Sequence, residues 1–365
     1  MDFAAIAHLR LENQQIARHP CATPGQVVAW LGAVQAQDYP GALWSIGLRL
    51  PDAIVADVEH AIAERAIVRT WPMRGTLHFV AAADVRWLLG LLTPRVIAGS
   101  ARRRQQLELD DAVFARSREA LRAALQGGRQ LTRTALLQVL EEAKISTAGQ
   151  RGYHILWRLA QDGVICFGPA AGKQQTFVLL DEWLPPSAPL DREAALAELA
   201  RRYFSGHGPA TLRDFIWWSG LTAADARAAL ELAKPALVHE VVDQDTYWLA
   251  ANTQAGPRES CREPEVQLLP GFDEYLLGYT DRSAVLDAAR AAEIVPGNNG
   301  MFTPTVVVDG RIAGTWKRTI TRRGVAVSVR PFSPLSEAGG LALTRAAERY
   351  GHFLGLAATA ADTSC

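Results

Sequence analysis

Residue patterning predicts an α+β chain: about three tandem winged helix-turn-helix units, then a small antiparallel β domain and a C-terminal helix. Three observations carry this reading. An order of helix, turn, apolar-periodic helix and short β ribbon recurs along the first two thirds of the chain. From about Pro264 the residues turn β-branched and aromatic, with turn signals at Asp309-Gly310 and Arg322-Arg323-Gly324. The 365 residues, 49% hydrophobic and 21% charged, have the balance of a folded chain long enough to bury a core and to hold two or three domains.

The middle copy is the clearest. VFARSREALRAAL is a helix stopped by Gly127-Gly128, and LTRTALLQVLEEA follows with Thr132 as N-cap and Leu136, Leu137 and Leu140 at helical spacing. GYHILWRLAQDG is a third helix ended by Gly163, and VICFGPAAGKQQTFVLL reads as two strands around a turn. A second copy fits 192–250: the helix REAALAELARRYFSGHG, then helices capped by Thr211 and Thr222, then a hairpin with Asp-Gln-Asp at its tip. A looser copy fills 4–90, with TPGQVVAWLGAVQ and DAIVADVEHAIAER as helices and IVRTWPMRGTLHFV as the ribbon. The repeat is one of elements, not of residues. LLPGFDEYLLGY, TPTVVVDGRIAGTWKRTI and GVAVSVRPFS supply the β domain, LSEAGGLALTRAAERYGHFLGL the closing helix, and ATAADTSC a frayed tail. DEWLPPSAPLD marks a linker. The boundaries expected are 1–100, 101–185, 190–255 and 256–365.

Cys21, Cys166, Cys261 and Cys365 are far apart and form no CxxC pair, which points to a reducing cytoplasm rather than a disulfide scaffold or zinc knuckle. The first residues are too polar for a signal peptide, and no run of about 18 apolar residues exists to span a membrane. Eight scattered histidines show no HExxH or HxxxH spacing, so no metal site is expected, and no cofactor either. GxSxG, the P-loop and GxGxxG after a strand are missing too, which argues against hydrolases, kinases and dehydrogenases with those signatures. Thirty-eight basic and 38 acidic residues cancel, but unevenly. Arg95–Arg151 holds eleven Lys/Arg against six Asp/Glu, and Met301–Arg330 holds six against Asp309 alone. Glu240–Arg282 holds nine acids against three bases. Such runs are either local fields for a charged partner or solvated faces.

Two segments carry candidate chemistry. In AWLGAVQAQDYPGALW, Gln35 and Gln37 would point apart on a helix. Pro40 disfavours helical geometry at Tyr39, so the helix is expected to end near Gln35 and the segment beyond it to be extended. Residues two apart then share a face, and two carboxamides, each donor and acceptor, can fix a water or a sugar oxygen. The alternative is a decorated helix end. In Arg69-Thr70-Trp71-Pro72-Met73-Arg74-Gly75-Thr76-Leu77-His78, guanidiniums flank an aromatic and a thioether. That suits phosphate clamping with a wedge against bases, or equally a ribbon whose Trp and Met are core.

The order AVQAQDYPGALW, RTWPMRGTLHFV and the basic GTWKRTITRRGVAV resembles the AlkZ-like winged-helix DNA glycosylases, across essentially the whole chain. Gln35-Ala36-Gln37 matches the family's Gln-aliphatic-Gln motif, and Gln37 departs from the Gln-aliphatic-Asp branch. The resemblance implies a monofunctional DNA glycosylase that hydrolyses the N-glycosidic bond of cationic alkylated purines of the N7-alkylguanine type. It also implies unhooking of interstrand crosslinks, in repair or antibiotic self-resistance. Gln35 and Gln37 are the implied catalytic pair. Asp38, Tyr39, Arg69, Trp71, Arg74, Thr76, His78, Lys317, Arg318, Arg322 and Arg323 are the expected DNA contacts, with Arg102, Arg103 and Arg104 as further candidates. The expected partner is double-stranded DNA carrying alkylated purines, met by a cytoplasmic, nucleoid-associated monomer that touches no membrane. The competing class is a non-catalytic winged-helix regulator, disfavoured by the lack of a dimerisation segment.

Overall fold

The computed structural model describes residues 1–188, 190–253 and 263–362. The chain divides into two compact units, Met1–Val58 with Leu196–Cys365, and Glu59–Ala195. The expected boundary at 100 therefore falls inside the second unit, and the expected first unit is divided at residue 58.

In the Glu59–Ala195 unit, local signals set the elements. Asp110 accepts from the Val113 N–H and opens the helix Asp111–Leu125. Thr132 does the same for Arg133–Glu142 through the Ala135 N–H. The helix Arg151–Gln161 follows, then strands Ile165–Phe167 and Thr176–Leu179, with Leu131–Thr132 pairing on the other side of the latter. Leu121, Leu125, Leu136, Leu140, Ile155 and Leu159 recur at helical spacing and meet in one core. Each contributes roughly 1.5–3 kcal/mol by leaving water. The hairpin Ile67–Met73 and Thr76–Ala81 turns at Arg74-Gly75, both with positive φ.

In the other unit, Thr211 and Thr222 cap Leu212–Ser219 and Ala223–Ala233 as the sequence leads one to expect. The hairpin Leu237–Val242 and Asp245–Ala250 turns at Asp243-Gln244. The C-terminal sheet has five strands in the order 358–362, 325–331, 311–320, 305–308 and 266–269. Val325, Val327 and Val329 point inward with period two while Ala326 and Arg330 face out. Ser336 caps the long helix Glu337–Leu354.

Three expectations are corrected. Glu274–Leu277 is a helical turn rather than strand, because the Asp273 carboxylate accepts from the Tyr275 N–H and closes it. Ala358–Asp362 is not frayed: it pairs in parallel with Val325–Val329, so the sheet is not wholly antiparallel. Pro40 starts a helix instead of preventing one, since the helix Tyr39–Gly47 begins there and a first-turn proline loses no intrahelical bond. Cys21 and Cys166 are free thiols, while Cys261, Cys365 and Pro189 of the expected linker lie outside the described residues. No helix among the described residues is long and apolar enough to cross a membrane.

Candidate active site

The helix Pro24–Leu31 stops at Gly32, whose φ of 78° a side chain would resist. The chain then extends through the short strand Val34–Gln35. Extended backbone places the two carboxamides on one side, and Gln35 Nε2 donates to Gln37 Oε1 at 3.0 Å. Gln35 is buried, at 7% exposed, and Gln37 is open to solvent, so the pair bridges the edge of the core and the surface. The bond leaves the Gln35 oxygen and the Gln37 amino group wholly free of it, while the Gln37 oxygen keeps a second lone pair and Gln35 a second N–H.

Beneath the pair lies a buried polar layer. Glu274 is fully buried, and its Oε1 accepts the Gln35 backbone N–H at 3.3 Å. Its Oε2 accepts the Trp218 indole N–H at 2.9 Å and faces His207 Nε2 at 3.2 Å. Beside it, Asp273 takes two bonds from Arg49, at 2.8 and 2.9 Å, and one from the Ser45 hydroxyl at 2.6 Å. Burial pushes the Asp273 carboxyl up, but Arg49 and these donors outweigh it and hold the group below its usual value. The sequence reading missed this layer and counted Asp273 and Glu274 as part of an acidic surface run. The available signal was two acids inside the apolar stretch LLPGFDEYLLGY.

Asp38 occupies the N-cap position of Tyr39–Gly47 without a side-chain cap bond. Its Oδ2 would lie 2.4 Å from a Cβ at residue 41, so only a glycine at Gly41 admits the carboxylate there. Asp38 and Tyr39 are half-exposed.

The basic hairpin, strands Arg311–Ile320 and Val325–Pro331, is rooted by Trp316, which is buried, donates to the Leu269 carbonyl and meets Tyr350 edge-on. Arg318 is half-buried and donates to the Tyr350 hydroxyl at 2.6 Å. Burial raises the Tyr350 phenol above its usual value, against Arg318 and with Asp38. Lys317, Arg322 and Arg323 are exposed, and Arg322 and Arg323 stand at the tip. Among the described residues none of the three has a salt-bridge partner.

The descriptive family model "DNA glycosylase AlkZ-like" matches residues 28–353. The chain belongs to the AlkZ-like DNA glycosylase family. As a member it is a hydrolase acting on N-glycosyl bonds in DNA. It is 27% identical over 330 residues to the interstrand DNA cross-link repair glycosylase of Streptomyces sahachiroi, covering 84% of this chain and 85% of that protein. The solved structure of Streptomyces sahachiroi DNA glycosylase AlkZ superposes with a TM-score of 0.77 at 22% identity, over 99% of this chain and all of that one. That likeness shows the fold, a mixed α+β architecture with a strand-rich C-terminal sheet.

The AlkZ-like match also spans the Arg69–His78 ribbon, whose geometry differs from the reading that its side chains meet DNA. Trp71 is 5% exposed and packs on Phe167 and Tyr153 within the core of its unit. His78 is fully buried with Nδ1 on the Thr76 carbonyl, and Arg69 is buried over the Phe167 ring while donating to Gln175. The reading is revised for these three, because both faces of the strand Ile67–Met73 are covered and His78, opposite Thr70, is buried with it. Arg74 and Thr76 are half-exposed at the turn, Arg74 lying 3.5 Å from His78 Nε2. Of the three further arginines, Arg103 bonds Gln106 and Gln150 and Arg104 lies near Asp111, leaving Arg102 outermost. Among the described residues no three His, Cys, Asp or Glu side chains gather to hold a metal ion.

Proposed function

We propose that this DNA glycosylase excises cationic alkylated purines of the N7-alkylguanine type from duplex DNA and unhooks interstrand crosslinks built on them, with Gln35 and Gln37 as its catalytic pair. The observation that carries the reading is the 3.0 Å bond joining the two amides where the core meets the surface. It leaves the Gln35 oxygen and the Gln37 amino group to meet a ligand. A water that donates to the Gln35 oxygen has its lone pair free for C1′ of the deoxyribose. The water oxygen bonds to C1′ as the C1′–N9 bond breaks, and the bonding pair neutralises the positive charge of the alkylated ring. The leaving base therefore needs no proton, and the proton lost by the water passes to solvent. Neutral amides suit this chemistry: they orient, and orientation alone contributes several kcal/mol. They are too weak as bases to remove an uncharged purine, which confines the reaction to labile lesions.

The family's relative in Streptomyces sahachiroi is named for cross-link repair, which supports the extension to crosslinks. The basic hairpin grips phosphates through Lys317, Arg322 and Arg323, the enzyme acting as a monomer. The test is release of free base from DNA containing N7-methylguanine. Gln35→Ala and Gln37→Ala are each expected to lose about a hundredfold or more of single-turnover rate. Wild-type rates in both variants would end the proposal.

A further inference from the structure

The Gln35 amide can hold a water only if its own backbone is held, and the strand that carries it, Val34–Gln35, is two residues long. Its N–H points inward to a carboxylate that no solvent reaches. Glu274 has two oxygens and three donors arranged around them: the Gln35 N–H on Oε1, and Trp218 Nε1 and His207 Nε2 on Oε2. The carboxylate is itself fixed at its backbone, where Gln14 Nε2 donates to the Glu274 carbonyl at 3.2 Å.

His207 is locked as well. It is fully buried, stacks on Tyr203 with ring centroids 4.8 Å apart, and its Cδ2 edge lies where any side chain at Gly278 would intrude. Its Nδ1 has no hydrogen-bond partner among the described residues. A buried Nδ1–H there would be an unsatisfied donor, whereas a bare lone pair is the cheaper state. Nε2 is thus the ring nitrogen placed to donate to Glu274.

We propose that Glu274 is a positioning residue for catalysis: its buried carboxylate, held by His207 and Trp218, fixes the Gln35 backbone and through it the Gln35–Gln37 amide pair. This rests on the Gln35–Gln37 reading above. A carboxylate is required because both its oxygens accept. A carboxamide of the same shape has one oxygen, so either the Gln35 N–H or the Trp218 and His207 donors would face an amino group.

The experiment is single-turnover release of N7-methylguanine by Glu274→Gln, with DNA affinity and thermal melting measured on the same preparations. Release is expected to fall about ten- to a hundredfold, with affinity for DNA changed less than about threefold. The deciding readout is the cycle with Gln35→Ala: if Glu274 acts through Gln35, the double variant is no slower than Gln35→Ala alone. Losses that multiply in the double variant, or wild-type release per folded Glu274→Gln molecule, overturn the proposal. If Glu274→Gln does not fold, the pair His207→Gln and His207→Leu decides. The Gln side chain restores a donor near Nε2 and should retain most of the rate, and Leu should lose it; equal rates overturn the proposal. A Gln35→Ala enzyme at wild-type rate would instead sink the catalytic-pair reading, whatever Glu274 does.

Discussion

Two hairpins of this protein share a composition and bury it differently. Ile67–Ala81 and Arg311–Pro331 each carry arginines beside a tryptophan. In the first, every residue of the strand Ile67–Met73 is buried, and Arg69 lies over Phe167 with its charge turned to Gln175. In the second only one face is buried: Val325, Val327 and Val329 point inward and Trp316 sits against Tyr350, while Lys317, Arg322 and Arg323 stand in solvent. Local composition cannot separate a cationic stripe that stands in solvent from one that braces a core. What separates them is whether the second face of the strand is covered or left to solvent.

The largest effect expected from this contrast is on stability. Trp71→Ala removes a ring packed on Phe167 and Tyr153 and should cost about 3–5 kcal/mol, read as a lowered denaturation midpoint. DNA affinity per folded molecule should hold. A Trp71→Ala protein that melts normally and binds DNA poorly would put the ring on the nucleic acid and erase the contrast between the hairpins.

The difference also marks what the sequence could reveal. Elements set by neighbours in the chain were legible: the Thr132, Thr211 and Thr222 caps, the stop at Gly127-Gly128, and the hairpin with Asp-Gln-Asp at its tip. The Gln35–Gln37 pair was legible too, through a motif and one argument about extended backbone. Glu274 was not, because its meaning depends on Gln35, Trp218 and His207, which lie 239, 56 and 67 positions away. The strand Ala358–Asp362 was hidden for a similar reason: ATAAD has weak strand preference of its own and is held by a parallel ladder to Val325–Val329. Burial of Trp71 and His78 is likewise a tertiary fact that periodicity alone left open.

A smaller effect should appear at the tip of the basic hairpin. Arg322→Ala with Arg323→Ala removes two exposed cations, so melting should move by less than the equivalent of about 0.5 kcal/mol. If both touch phosphates, the log–log salt slope of DNA binding should flatten by up to about two. An unchanged slope would make this tip a solvated turn and leave the protein with no hairpin that reads charge.

The finest distinction lies within one strand. Lys317 and Arg318 are adjacent, so alternation sends them to opposite faces. Lys317 is exposed, while Arg318 is half-buried and donates to the Tyr350 hydroxyl. Lys317→Ala should flatten the salt slope by about one, and Arg318→Ala by clearly less. Arg318→Ala and Tyr350→Phe should each cost about 0.5–1.5 kcal/mol of stability, the net worth of the bond they share, and the double variant should cost no more than the larger single one. Because the Tyr350 phenol is held above its usual value, that cost should not change between mildly acidic and mildly basic pH. If Arg318→Ala flattens the slope as much as Lys317→Ala, Arg318 leaves Tyr350 for a phosphate when DNA arrives. The covered face of the hairpin would then yield a residue to the grip.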